Sequence, residues 1–313
     1  MLLDRKSFVA LALALGFSIC VSANAATPQF DNLFVFGDSD SDTGAKFSMV
    51  GYPAPPYWQG RHSNGPVAVE YLSAALNVAS QAGVNNFAVG GALTGYGNRD
   101  ANVPSTGMLS QFNYYANLSN SHADPNALYF IRGGANDLKI CGSSPCSDAQ
   151  LQTITDHLNT LIGDLSGIGA RHFVLVGTLA PQSVATSSAA LDALLKSDVS
   201  SLHAGGLDIT FFDPRPIVKA MRQVGNPYGF THTDEFDPCY TGSLSGTGGS
   251  VCSNPDEYVT WDSIGHLTAH AQEVLGNAMV SSLLAAPVPE PETYALMLAG
   301  LGLVGFTALH RRN

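Results

Sequence analysis

The stretch from Phe34 to Gly44 constrains the fold of this chain most strongly. A short apolar run, Leu33–Phe36, predicts a buried strand that stops at Gly37, and small polar residues follow it. In open α/β sheets, the corner where such a strand leads into a helix lies at the edge that binds ligands. A hydroxyl at Ser39 would be exposed there, beside free helix N–H groups that stabilise negative charge. Ser39 and Asp42 could equally cap the helix, and this stretch alone leaves nucleophile and cap open.

Short apolar strands alternate with helical patterns along the rest of the chain. Five strands are predicted, at Leu33–Phe36, Asn85–Val89, Ala127–Arg132, His172–Val176 and Leu207–Phe212. Helical patterns lie near Pro66–Leu76, Met108–Leu118, Ala149–Ser166, Ser187–His203 and Leu267–Leu284. Continuous apolar strands separated by helices indicate a parallel sheet covered on both faces. Because no composition break or repeat interrupts the pattern, we expect one α/β domain over residues 26–286.

Two loops are longer than this minimal pattern needs. Residues 51–64 are rich in proline and aromatic side chains, and residues 225–256 form a Gly- and Ser-rich insertion before the last helix. Loops of this length in a compact domain are usually functional. We expect them either to shape an apolar acyl pocket or to be ordinary surface excursions.

Both ends of the chain are predicted to be targeting segments. Arg5 and Lys6 precede the apolar run Phe8–Val21, and small residues lead to Ala25, which is typical of a secretory signal peptide spanning residues 1–25. Residues 287–313 contain Pro-Glu-Pro, a short apolar stretch and a basic tail. This arrangement resembles the PEP-CTERM sorting signal. The resemblance implies a Gram-negative bacterium, an exosortase-type processing enzyme as a partner, transient membrane association through this segment, and a destination in the periplasm, the outer envelope or outside the cell.

Charge and cysteine content narrow the partners and the compartment. The net charge of −11 repels nucleic acid and anionic membrane, so we expect no nucleic-acid partner; a lipid reached through an apolar patch stays possible.

Once Cys20 leaves with the signal peptide, four cysteines are left. Export permits disulfides, and local pairing of Cys141 with Cys146 and of Cys239 with Cys252 is the simplest arrangement. A zinc site is the alternative.

The first three predicted strands end in residues suited to acyl transfer. These ends carry Ser39, the pair Gly90-Gly91 and Asn136. Because carboxyl ends of parallel strands meet at one edge, we expect a serine, a glycine N–H and an amide to face one crevice. His266 precedes the last helix and could accept the serine proton, while a nearby aspartate orients the ring.

These four blocks resemble the GDSL esterase/lipase family, also called SGNH hydrolases, and in particular its bacterial phospholipase and lecithinase members. The matching segments are Phe36–Ser39, with Asp40 where the family name has leucine, Asn86–Ala92, Gly134–Asp137 and Asp262–His266. The resemblance spans nearly the whole predicted domain. It implies a flavodoxin-like three-layer α/β/α fold with a central five-stranded parallel sheet, and hydrolysis of carboxylic esters without a metal or other cofactor.

The resemblance also implies roles for particular residues. Ser39 is the nucleophile and His266 the general base and acid, while Ser39, Gly91 and Asn136 form the oxyanion hole. Gly91 is preferred to Gly90 by its distance in sequence from Asn86. The family spaces its last motif Asp-x-x-His, whereas three residues separate Asp262 from His266 here. Asp262 is therefore the first candidate for the third triad member, and Asp256 is the second.

Together these features predict an exported serine esterase or lipase that hydrolyses lipid or short acyl esters through an acyl-serine intermediate. One alternative is a carbohydrate O-acetyl esterase that acts on exopolysaccharide. An alternative of another class is a catalytically inactive envelope or matrix binding protein on the same fold.

Overall fold

The computed structural model describes residues 30–142, 144–179 and 182–284. The predicted signal peptide and the predicted sorting segment lie outside the described residues. None of the helices in the described part of the chain is both long enough and apolar enough to cross a bilayer.

A parallel sheet lies at the centre of the domain. Within the described residues it has four strands in the order β1 (Leu33–Gly37), β2 (Leu128–Arg132), β3 (His172–Val176) and β4 (Asp208–Phe212). The strands are in register, with Leu33 opposite Leu128, and His172 opposite both Leu128 and Asp208. All four carboxyl ends therefore lie at one edge. The predicted α/β class and parallel sheet are confirmed.

The prediction of a fifth strand at Asn85–Val89 is wrong. This segment runs beside β1 but makes a single parallel bridge, between Val35 and Asn86. The ladder is interrupted because the Gly37 N–H, which would donate next to this segment, donates instead to Gln111 Oε1 at 2.9 Å. Gln111 Nε2 also donates to Gly37 O at 2.8 Å, and this oxygen accepts a second hydrogen bond from Val89 N at 3.2 Å. The segment still lies outside β1, which gives the flavodoxin-like order of elements.

Helices cover both faces of the sheet. Those in the described residues are α1 (Ala45–Val50), α2 (Ala68–Ala75), α3 (Met108–Leu118), α4 (Ala135–Ile140), α5 (Asp148–Gly167), α6 (Ala185–Ala204), α7 (Arg215–Met221) and α8 (Ala269–Leu283). Strand side chains alternate between faces. Val35 joins a core formed with α2, α7 and α8, while Phe36 joins the core of α3, α5 and α6. The five predicted helices are present within a few residues of their expected bounds. The short helices α1, α4 and α7 were not predicted.

The two long loops pack against each other near the carboxyl edge of the sheet. Ala54 N donates to Leu244 O at 2.8 Å. Tyr57, Tyr240 and Trp261 form a small buried aromatic cluster of their own. Disulfides join Cys141 to Cys146 and Cys239 to Cys252, as predicted, and the second one closes the insertion beneath this cluster.

Candidate active site

Ser39 lies at the corner between β1 and α1. The carboxylate of Asp42 accepts hydrogen bonds from Gly44 N at 2.8 Å and Ala45 N at 2.7 Å. It therefore satisfies the free N–H groups at the start of α1. Ser39 Oγ lies instead 2.9 Å from His266 Nε2. The sequence left open whether Ser39 and Asp42 cap the helix or supply a nucleophile, and the structure divides these roles between them. Asp42 caps the helix, and the Ser39 hydroxyl contacts a histidine.

Asp262 reaches the other side of the histidine ring. Its Oδ2 lies 2.7 Å from His266 Nδ1. Its Oδ1 accepts hydrogen bonds from the backbone N–H groups of Ile264, Gly265 and His266 at 3.0 to 3.1 Å. The three intervening residues form a turn around the carboxylate, and Gly265 completes that turn with a φ of +104°. The longer Asp–His spacing is thus compatible with contact.

The second candidate acid lies elsewhere. Asp256 is in a short 3₁₀ helix, Pro255–Glu257, and its carbonyl oxygen contacts His270 Nδ1 at 2.8 Å. The structure therefore brings Asp262, and not Asp256, to the His266 ring.

Tyr57 is a contact of the acid that the sequence interpretation missed. Its hydroxyl donates to Asp262 Oδ2 at 2.7 Å. Its ring packs edge-on against Tyr240 and Trp261, with centroids 5.5 and 6.0 Å apart. Burial and the Asp262 charge raise the pKa of Tyr57, so its hydroxyl stays protonated and donates to the ionised carboxylate. The aromatic loop therefore contacts and orients the carboxylate, which is neither the acyl pocket nor the ordinary surface excursion between which the sequence left the choice open.

Burial and charge set the protonation of the pair. Burial alone lowers the pKa of His266, but the Asp262 charge and hydrogen bond more than offset it, so the pKa is raised above 6.5. Burial raises the pKa of Asp262, and the His266 charge and the hydrogen bonds outweigh it, so the pKa lies far below its usual range. Asp262 is therefore ionised at neutral pH and makes the imidazole more basic.

Gly91 and Asn136 line the same open cavity of about 400 Å³ as Ser39 and His266. The Gly90 N–H donates to Asp42 Oδ2 at 2.8 Å and is already occupied. Gly91 has a φ of +87°, and a Cβ there would fall 2.5 Å from Asn98 Oδ1. Only glycine fits this position without strain.

The Asn136 side chain is fixed beneath the cavity. Its Nδ2 donates to Ala92 O at 3.1 Å and lies 3.4 Å from Asp38 Oδ2. Burial, with the charge of Asp40, raises the pKa of Asp38 to about 7. Asp38 therefore carries a proton for part of the time at neutral pH, which spares the site a second buried negative charge beside the nucleophile.

Several further residues line this cavity that the sequence interpretation did not assign to the site: Lys46, His62, Arg99, Asp100 and Lys139. The buried His62 ring lies 4.9 Å from the His266 ring, centroid to centroid. Its neighbours hold the last helix in place, since Ser63 Oγ donates to Leu267 O at 2.9 Å and Asn64 Oδ1 accepts from Ala269 N at 2.7 Å.

Comparisons with known proteins give matches over most of the chain. The family model described as GDSL-like Lipase/Acylhydrolase matches residues 33–279, and the PEP-CTERM protein-sorting motif matches residues 287–312. Thermolabile hemolysin of Vibrio parahaemolyticus is 26% identical, over 81% of this chain and 64% of the hemolysin. Phosphatidylcholine-sterol acyltransferase of Aeromonas hydrophila is 29% identical, over 76% of this chain and 73% of the relative.

The chain thus spans less than two thirds of the hemolysin's length. A GDSL esterase/lipase of Arabidopsis thaliana is 25% identical, over 95% of this chain and 99% of the relative. Among solved structures, a family two carbohydrate esterase from Clostridium thermocellum aligns with a TM-score of 0.47 and 12% identity, over 82% of this chain and 66% of that one.

Proposed function

Because the chain belongs to the GDSL-like lipase/acylhydrolase family, we propose that it hydrolyses carboxylic esters through an acyl-Ser39 intermediate. One observation carries the proposal, the continuous chain of contacts from Ser39 Oγ through His266 to Asp262, with distances of 2.9 and 2.7 Å. A buried carboxylate, an imidazole and a hydroxyl in this order can remove the hydroxyl proton at the moment of attack.

In the first half of the reaction Ser39 Oγ attacks the ester carbonyl carbon, and His266 Nε2 accepts the hydroxyl proton. The Asp262 carboxylate stabilises the imidazolium that forms. The tetrahedral oxyanion accepts hydrogen bonds from the N–H groups of Ser39 and Gly91 and from Asn136 Nδ2. In this step Asn136 Nδ2 exchanges its longer contact, with Asp38 Oδ2 at 3.4 Å, for the oxyanion. His266 then donates its proton to the leaving alcohol oxygen, and the acyl group stays on Ser39.

In the second half, water takes the place of the alcohol. His266 accepts a proton from the water as its oxygen attacks the acyl carbon, and the same donors hold the second oxyanion. Collapse of that intermediate returns the proton to Ser39 Oγ and releases the carboxylic acid. No other group in this scheme needs to change its protonation state.

The acyl chain is proposed to occupy a second cavity of about 120 Å³ on the far side of Ile264, which borders both cavities. Its lining combines apolar side chains with charged ones. The apolar ones are Leu179, Val218, Phe236 and Leu267, and the charged ones are Asp40, Arg222 and Glu235. The apolar part of this lining favours a chain longer than acetyl, because burial of each methylene contributes about 0.8 kcal/mol. This supports a lipid or medium-chain ester as the substrate.

A panel of p-nitrophenyl esters tests this substrate class. We expect kcat/KM to rise about tenfold from acetate to butyrate, which adds two methylenes to the buried chain. The enzyme with Ser39→Ala supplies the background rate for each ester. Hydrolysis confined to acetate would reject the lipid assignment and favour an O-acetyl esterase.

The pH dependence should follow His266. Only the neutral imidazole accepts the Ser39 proton, so we expect kcat/KM to rise with pH through a pKa above 6.5, the ordinary value. In Asp262→Asn the lowering effect of burial is no longer offset, and the His266 pKa should fall below 6.5. Titration of the His266 ring protons by NMR measures both values, and equal pKa values in the two proteins would contradict the assignment.

The sorting motif indicates export in a Gram-negative bacterium with exosortase processing. We propose that the tail holds the chain transiently at the membrane until it is processed. The enzyme then works in the periplasm, in the outer envelope or outside the cell. Two disulfides in the domain support such an oxidising destination.

A further inference from the structure

Asp40, the residue after the nucleophile, forms a buried ion pair with Arg132 at the end of β2. Arg132 Nη2 lies 2.8 Å from Asp40 Oδ2, and the two side chains are 3% and 15% exposed. A buried ion pair contributes little to stability, because the cost of removing two charges from water offsets much of their attraction. The GDSL family name has leucine where this chain has Asp40. Stability alone therefore does not account for a charge at this position.

The pair links the corner that carries the nucleophile to the corner that carries an oxyanion donor. The ladder between β1 and β2 ends where Gly37 pairs with Arg132. Beyond that pair of residues both chains leave the sheet, toward Ser39 on one side and toward Asn136 on the other. The contact between Asp40 and Arg132 therefore continues the connection between the two corners past the last backbone hydrogen bonds.

Asp38 makes a second connection between the same corners, and it is weaker. Its Oδ1 accepts a hydrogen bond from Asp40 N at 3.1 Å, and its Oδ2 lies 3.4 Å from Asn136 Nδ2. In the proposed mechanism Asn136 gives up this long contact when it turns to the oxyanion. The Asp40–Arg132 pair uses none of the reacting groups, so it can persist through the whole reaction.

We propose that Asp40 and Arg132 are positioning residues, whose ion pair holds the nucleophile and the oxyanion donor Asn136 at the separation that the reaction needs. The inference rests on the proposed function, in which the oxyanion forms by attack of Ser39. A guanidinium–carboxylate contact is short and directional, so it fixes a distance that an apolar side chain would leave variable. Oxyanion donors act on the transition state more than on the bound ester. Loss of the pair should therefore lower kcat and leave KM nearly unchanged.

Asp40 also places a charge near the catalytic histidine. Burial lowers the pKa of His266, whereas the charge and hydrogen bond of Asp262 and the charge of Asp40 raise it. The charge of Lys139 lowers it, and the neutral His62 ring lies 4.9 Å from the His266 ring, centroid to centroid. Removal of the Asp40 charge should lower the His266 pKa and move the rise of kcat/KM to lower pH. A residue that only stabilised the fold would not move this profile.

Substitution of each partner, and of both together, tests the proposal with p-nitrophenyl acetate. This short acyl group does not fill the second cavity, which Asp40 also lines. Asp40→Leu and Arg132→Leu should each lower kcat at least about tenfold, with KM within about twofold of the wild type. Because both substitutions break the same pair, Asp40→Leu/Arg132→Leu should lose no more than the weaker of the two single variants. The double variant should also unfold at a higher temperature than Asp40→Leu, which leaves the buried guanidinium unpaired.

Asp40→Asn separates the contact from the charge. The asparagine Oδ1 can still accept a hydrogen bond from Arg132 Nη2, so the maximal kcat should stay within about threefold of the wild type. The pH profile should nevertheless move to lower pH.

Lys196→Gln is the matched control. Lys196 Nζ lies 2.7 Å from Asp213 Oδ2, and Asp213 directly follows β4 at the same edge of the sheet. The substitution removes an ion pair at this edge without touching either corner of the site. It should leave both kcat and the pH profile unchanged.

Wild-type kcat in Asp40→Leu would overturn the proposal, and so would a loss in the double variant equal to the product of the two single losses. A loss in Asp40→Asn as large as that in Asp40→Leu would assign the effect to the charge and not to the contact. The same assay separates this proposal from the function on which it rests. Ser39-dependent hydrolysis with unchanged kcat in both leucine variants would reject the positioning role alone. Hydrolysis no faster than that of Ser39→Ala would reject the hydrolase itself.

Discussion

Ser39→Ala should lower kcat/KM for p-nitrophenyl butyrate by about 10⁴-fold or more. The substitution removes the atom that attacks the carbonyl carbon, and the residual rate should come from substrate binding and the oxyanion donors. The fold should be unaffected, because the hydroxyl lost makes one hydrogen bond, to His266 at 2.9 Å. Such a bond contributes about 1 kcal/mol to stability. Initial rates and thermal unfolding of the two proteins measure both expectations.

Ser41→Ala is the matched control for this prediction. Ser41 lies two residues further along the same turn, is fully buried, and its Oγ has no hydrogen-bond partner within the described residues. Ser41→Ala removes the same atom, a serine Oγ, from the same loop. It should leave the rate within about twofold of the wild type, because this hydroxyl makes no hydrogen bond that the substitution could remove. Equal rates for wild type and Ser39→Ala would end the assignment of Ser39 as nucleophile.

Much of the fold is predictable because its signals are local. Continuous apolar strands such as Leu33–Phe36 can be buried only in a sheet covered on both faces. The helix predicted at Met108–Leu118 has the same bounds in the structure. The helices that were missed, α1, α4 and α7, have six or seven residues, which is too short for an apolar periodicity to show.

The errors come from contacts between distant parts of the chain. The fifth strand fails because Gln111 takes the N–H of Gly37 from 74 residues away. Tyr57 reaches Asp262 across 205 residues. No spacing rule marks either pair, because a side chain's partner in another element depends on how the elements pack. Arg99 and Lys139 were overlooked for the same reason, since each is an isolated cation in the sequence.

The spacing of Asp262 and His266 shows what a motif alone leaves undecided. The family pattern places the aspartate three positions before the histidine. In this chain it lies four positions before, so the sequence alone does not decide whether the Asp262 carboxylate contacts the His266 ring. In the structure the turn after Asp262 makes this contact possible. Three backbone N–H groups donate to Asp262 Oδ1, and Oδ2 is left to contact the ring. The extra residue is accommodated within the turn, and the geometry supports Asp262 as the orienting acid.

Asp262→Asn should therefore lower kcat by about 10⁴-fold, the loss known for the equivalent change in a serine protease. The asparagine Oδ1 can still accept the three backbone N–H groups, so the turn should persist. Its Nδ2, however, would donate to His266 Nδ1 and leave the proton on Nε2. An imidazole protonated at Nε2 cannot accept the Ser39 proton.

Tyr57→Phe provides the comparison that isolates the carboxylate. It removes one hydrogen bond to Asp262 Oδ2 and leaves the charge, the aromatic packing and the Asp262–His266 contact in place. We expect a loss of about tenfold or less, since one neutral hydrogen bond contributes about 1 kcal/mol. A loss below tenfold in Asp262→Asn as well would show that a backbone carbonyl, and not Asp262, orients His266. A large loss in Asp262→Asn with a small one in Tyr57→Phe would place the effect in the carboxylate that touches the ring.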